Sequence, residues 1–208
     1  MEEARITSDR PRSRRTGRRG HWGRRLGLVL IAVGLLMVLY WASDFVAAGL
    51  RQRGDEARWA QILGGASAQQ QGSPGDLARP VEGLDFRLRV PRLGYAAIVR
   101  EGVGLGVLAT GPGHYPATTW PGQGGNVAVA AHNVYWIQFD QLRPGDRLAL
   151  DTRYGTFEYR VTGTRIVTPD DSAVLQPQPD RQLTMTTCWP LWAGQFANRR
   201  LAIFASAA

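Results

Sequence analysis

The sequence predicts an all-β domain, a closed barrel or sandwich of eight short strands with brief helical pieces between them, preceded by one apolar helix. Three observations point there. Gly 25 and Pro 12 in 208 residues punctuate the chain with turns. From about Gly83 the apolar residues come in short runs, many alternating, bounded by Gly, Pro or Asp. Before that point, Leu26 to Ser43 (LGLVLIAVGLLMVLYWAS) passes without a single charge.

Taken in order, residues 1–25 form a basic tail in which nine arginines outweigh Glu2, Glu3 and Asp9, a local balance of +6 out of the chain's +8. Such a run by itself is a solvated arm or a nucleic-acid contact. The segment after it decides between them. As a helix at ~1.5 Å per residue, the uncharged run spans ~27 Å, close to a bilayer's hydrocarbon thickness. FVAAGL extends it to Leu50, Tyr40 and Trp41 sit at the level of an aromatic interface belt, and the arginines lie immediately before it. Residues 26–50 are therefore read as a signal anchor, with the N-terminus inside and the C-terminus outside. The competing reading is a cleaved signal peptide, for which Ala47-Ala48-Gly49 supplies a small-residue site. Nucleic-acid binding is excluded because the basic cluster falls on the inner side of the anchor.

Residues 51–82 are expected to hold a short juxtamembrane helix (RQRGDEARWAQIL) and then a linker, Gly64 to Pro80, too polar and turn-rich to bury a core. The folded domain is expected over 83–208. Phe86, Leu88 and Val90 alternate with arginines and stop at Pro91, and AIV at 97–99 is a second short strand. NVAVAAH, 126–132, is apolar on both faces and is expected to be buried on both. RLALD at 147–151 and TFEYRVT at 156–162 form a hairpin about Tyr154-Gly155. Strands over 164–168, 183–187 and 201–205 complete the eight. Brief helices are expected near 104–109 and 138–142.

Cys188, in LTMTTCWP, is the only cysteine. Exported proteins use cysteines in pairs, so a single one is a small buried hydrophobe, an intermolecular bridge or a reactive thiol. A reactive thiol needs a base, because little thiolate exists at neutral pH at a pKa of ~8.5. His21 lies in the tail, His114 in the turn GPGHYP, and His132 closes NVAVAAH. Alternation places Ala128, Ala130 and His132 on one strand face, and Thr184, Thr186 and Cys188 on one face of another. Both candidates stand at strand ends, where a barrel can hold side chains at a rim. A core histidine satisfied by hydrogen bonds is the plain alternative for His132. A donor for a developing oxyanion is supplied by Arg199 or Arg200 before LAIFA, surface arginine being the plain alternative for each. One Cys and two histidines outside the anchor give no ligand-like spacing for a metal.

The order of His, then TxTC at a strand end, then Arg opening RLAIFA, all behind an N-terminal anchor, resembles the sortases, the transpeptidases that attach proteins to bacterial cell walls or polymerise pilins. The resemblance runs from about Leu84 to Ala205 and is strongest in VPRLG, GPGHYPATTWPGQGGNVAVAAHN, LRPGD and LTMTTCWP. It is most similar to class D and class E sortases. It implies an eight-stranded sortase-type β-barrel in which Cys188 is the nucleophile, His132 the general acid/base and Arg200 the oxyanion donor. Arg200 takes that role over Arg199 because the family's arginine stands five residues before the strand's closing Ala, here Ala205. Thr187 matches a threonine that helps to hold substrate, and His114 a recurrent histidine outside the catalytic set. The chain departs from the family at Ala131-His132-Asn133, where many relatives have Gly-His-Arg, and Met185 replaces a common Leu or Val.

The resemblance further implies cleavage of an LPxTG-like signal through a Cys thioacyl intermediate. The acyl group then passes to an amine of a peptidoglycan precursor or a pilin, with no cofactor. Its partners would be exported proteins with a C-terminal sorting signal, and its place the outer side of the membrane. A cysteine hydrolase on the same scaffold and a membrane-tethered domain that binds a wall component are the alternatives.

Overall fold

Alternating apolar side chains and glycine-bounded turns produce eight strands: β1 (Leu84–Val90), β2 (Tyr95–Glu101), β3 (Gly113–His114), β4 (Asn126–Ala131), β5 (Arg147–Thr152), β6 (Gly155–Val167), β7 (Gln182–Trp189) and β8 (Arg199–Ala207). They close into a barrel in the order β1-β2-β3-β4-β7-β8-β6-β5. The β2–β3 and β4–β7 pairs are parallel and the other six antiparallel. The computed structural model describes residues 19–66 and 74–208. Most of the basic tail and residues 67–73 of the expected linker lie outside the described residues.

The expected count of eight strands is met by a different division of the chain. The runs at 156–162 and 164–168 are one 13-residue strand, β6, with a register shift between Val161 and Gly163. A residue without a side chain lets the strand bend there without ending its ladder. The eighth strand is instead β3, two residues that bridge β2 and β4 and complete the closure. It needs Gly113, because a Cβ there would lie 2.0 Å from the Gly102 carbonyl oxygen. The one-turn helix at Leu105–Leu108 and the 3-10 turn at Phe139–Gln141 fall where helical pieces are expected.

Inward positions of β4, β7 and β8 (Val127, Val129, Leu183, Met185, Leu201, Ile203) join Phe86 and Leu88 of β1 in the barrel core. The outward positions Ala128, Ala130, Thr184 and Thr186 are buried as well. Asn126–Ala131 is therefore covered on both faces, as the run's lack of a polar face predicts, while His132 after it is half-buried. Part of the outer cover is the β6–β7 connection, whose Val174 packs with Val167 and Ala202.

Helix α1 runs from Arg19 to Ala66 without interruption, and α2 is a single turn, Pro74–Leu77, inside the expected linker. The juxtamembrane helix expected at 51–63 continues from the apolar stretch, since no proline lies between them and Gly49 and Gly54 each cost only about 1 kcal/mol in a helix interior. The chain divides into two compact units at Val46 and Ala47. In the first, Trp22–Tyr40 is long and apolar enough to cross a membrane. The second, Ala47–Ala208, includes the rest of α1 together with the barrel. Here Trp59 is buried with Leu84 and Ile98. Asp55 accepts two hydrogen bonds from the Arg100 guanidinium (2.8 and 2.5 Å), Glu56 pairs with Arg87 at 2.9 Å, and Arg58 pairs with Glu82. The compact unit that carries the barrel begins at Ala47.

Candidate active site

Three adjacent strands build the site. Within β4 and β7 the parallel register pairs Ala128 with Thr184, Ala130 with Thr186 and Ala131 with Thr187. One step further, His132 comes level with Cys188. Across the β7–β8 ladder Cys188 is the direct partner of Arg200, and Thr186 that of Ala202. Residues paired across a ladder share a face. The inward faces of these strands belong to Val129, Met185 and Ile203, so His132, Cys188 and Arg200 form one row on the outside of the barrel. His132 and Cys188 stand at the ends of β4 and β7 and Arg200 near the start of β8, all three on the face opposite the core residues.

The row lines a cavity of about 420 Å³. Its floor includes Ala130, Thr186 and the side chain of Tyr115, whose hydroxyl lies 3.1 Å from Thr186 Oγ1. One wall is Val103, Leu105 and Leu108 from the β2–β3 connection, and the other is Pro169 to Ser172 with Val174 and Leu175. A larger cavity, about 840 Å³, lies between α1 and residues 151–156 and is lined by neither cysteine nor histidine.

Cys188 and His132 are half-buried, neither sealed in the core nor fully exposed. Burial, and after it the nearby Arg200 charge, holds the His132 imidazolium below the ordinary histidine value of 6.5. The ring is consequently neutral near pH 7 and able to accept a proton. Arg200 is half-buried with Nε donating to the Pro169 carbonyl at 3.4 Å, whereas Arg199 is exposed. The structure thus brings Arg200, not Arg199, into the cavity with the thiol and the imidazole.

Thr187 is not brought to the groove. Its register partners are Ala131 and Leu201, its side chain is 1% exposed, and its Oγ1 has no hydrogen-bond partner among the described residues. Adjacent strand positions point to opposite faces, so the side chain beside Cys188 turns inward. His114 is also internal, 2% exposed, with Nδ1 2.8 Å from Asp85 Oδ2 and Nε2 3.1 Å from the Thr119 carbonyl.

Sequence reasoning misses Asn126. Its Nδ2 donates to the Val174 and Gln176 carbonyls (3.2 and 3.4 Å), and its Oδ1 accepts from Thr184 Oγ1 at 2.9 Å. It therefore ties the wall carrying Val174 to the barrel. The available signal is a polar residue opening an otherwise apolar strand, two-residue steps away from His132. Asp171 supports the same wall by accepting from the Ala173 amide.

A family profile, the sortase domain, matches residues 88–208. The chain is 29% identical over 119 residues to sortase D of Bacillus subtilis (strain 168), covering 56% of this chain and 60% of that protein. It is 35% identical over 69 residues to sortase A of Bacillus anthracis, covering 31% and 33%. The matches thus span less than two thirds of these relatives' own lengths. Among solved structures it is similar to a Clostridium perfringens sortase D5 transpeptidase (TM-score 0.56, 25% identity, 61% of this chain and 79% of that one). It also shares the fold of sortase A from Corynebacterium diphtheriae (TM-score 0.56, 22% identity, 62% and 61%).

Proposed function

Because the chain belongs to the sortase family, we propose that it is a cysteine transpeptidase acting on an LPxTG-like sorting signal of exported proteins. The observation that carries this reading is the single row of thiol, imidazole and guanidinium on β4, β7 and β8, open to one cavity.

In this mechanism neutral His132 takes the Cys188 proton as substrate docks. The thiolate attacks the threonine carbonyl carbon of the signal, and the developing oxyanion is stabilised by the Arg200 guanidinium. The C–N bond breaks as imidazolium returns its proton to the departing amine, leaving a thioacyl enzyme. An amine of a peptidoglycan precursor or a pilin then attacks the thioester and gives a proton to His132. The new amide leaves and the Cys188 thiol is restored. Thr187 takes no part through its side chain in this scheme.

For localisation we propose a single-pass membrane protein with a cytoplasmic basic tail and an external barrel. The apolar stretch of α1 and the arginines before it support that orientation.

The test is product analysis with the full chain in detergent, an LPxTG-type peptide library and triglycine. A transpeptidase gives peptide ligated to triglycine. Free acid alone would mark a hydrolase, and a Cys188→Ala chain that keeps its biological effect would mark a wall-binding domain.

A further inference from the structure

The β2–β3 connection, residues 102–112, supplies one wall of the groove and is hydrogen-bonded to the barrel backbone at its ends, where the Arg100 amide donates to the Pro112 carbonyl and the Gly102 amide to the His114 carbonyl (3.0 and 2.9 Å). Gly102, Gly104, Gly106 and Gly111 fall within it, its only regular element is the four-residue α3 (Leu105–Leu108), and Leu105 is 79% exposed. A segment of this kind opens locally at low free energy unless it is tied down. Between those ends two side-chain ties reach it among the described residues, one from the barrel side, where Tyr135 Oη donates to the Ala109 carbonyl at 2.7 Å. The other comes from α1.

Gln52 of α1 uses its whole amide. Nε2 donates to the Ile98 carbonyl (3.3 Å) and to the Thr110 carbonyl (3.2 Å), and Oε1 accepts from the Ile98 amide (3.1 Å). These Ile98 groups are open because β3 is only two residues long and pairs β2 at Arg100 and Glu101 alone. The glutamine therefore takes the place of a missing strand neighbour at Ile98 and reaches one carbonyl further, into the groove wall. Gly111, whose φ of +155° already favours glycine, leaves room for it: a Cβ there would lie 2.1 Å from Gln52 Nε2. Two positions distant in sequence, one in the helix and one in the connection, are matched to each other.

We propose that Gln52 is a positioning residue for the groove, holding the connection through Thr110 so that Val103, Leu105 and Leu108 stand at the right distance from Cys188 and His132 for an extended peptide. The Ala47–Ala66 part of α1 thereby sets substrate affinity. The proposal rests on the transpeptidase reading, but its structural half does not.

The test uses the full chain in detergent and the LPxTG-type peptide that the wild type turns over. Gln52→Ala removes the contact itself, and Gly111→Ala crowds it while also straining a backbone held at φ +155°. Glu56→Gln weakens the pairing of the same helix with Arg87 without touching the connection. Gln52→Ala and Gly111→Ala are expected to speed hydrogen exchange at the amides of Val107 to Thr110. They should raise KM about five- to tenfold, roughly the loss of one hydrogen-bonded contact, with kcat changed by no more than about twofold. Glu56→Gln should do neither. Unchanged exchange in Gln52→Ala overturns the proposal even if the wild type transfers no peptide. So does a KM rise in Glu56→Gln equal to that in Gln52→Ala, which would mark general loosening of the helix.

Discussion

Cys188 and Arg200 are direct cross-strand partners in the β7–β8 ladder, so the spacing of their backbones is set by the ladder's hydrogen bonds and not by a loop. The neighbouring arginine, Arg199, pairs with Trp189 and is exposed. One residue of register separates the two outcomes.

Arg200→Ala is accordingly expected to lower kcat by about 10²–10³, the usual loss for one oxyanion donor, with the barrel still folded. Arg199→Ala is expected to keep full activity. Steady-state kinetics on both variants, with circular dichroism as the fold control, checks this pair.

The His132 ring should titrate below 6.5, and Arg200→Ala should move it upward by removing the like charge while burial still keeps it under that value. A histidine whose folded value is depressed adds stability that is fully present above the unfolded value, ~6.5, and lost as pH falls through the folded one. NMR titration of the ring in both proteins reads the shift. Urea unfolding at pH 7 and pH 5, against His132→Gln, reads the stability.

Asn126→Ala leaves Thr184 Oγ1 and the Val174 and Gln176 carbonyls without their partner. The expected cost is about 1–3 kcal/mol of stability, together with faster exchange in residues 172–176. Urea denaturation and hydrogen exchange measure the two effects.

Trp59→Ala empties a site shared by α1, β1 and β2, where Trp59 is 2% exposed. A loss of about 3 kcal/mol is expected, as for other large buried aromatics. A barrel preparation beginning at residue 80 should show the same exposed surface around Leu84 and Ile98, detectable by dye binding.

Most of the fold is legible in the sequence where hydrophobic period and turn chemistry agree, as in β1, β4, β5, β7 and β8. The two failures have physical causes. Gly163 looks like a strand end but is a bend within β6, and β3 is too short for any periodicity to register. For the site, parity along single strands already groups Cys188 with Thr186 and His132 with Ala130. What parity cannot supply is which strands are neighbours, and hence that Asn126 and Gln52 reach the groove walls from a distance.

The most direct test of the central claim is mass spectrometry of the full chain mixed with an LPxTG-type peptide library and then with triglycine. A thioacyl adduct is expected on the peptide containing Cys188, disappearing as triglycine-ligated product forms, with no adduct in Cys188→Ala. An adduct elsewhere on the chain, or transfer by the Cys188→Ala protein, would contradict it.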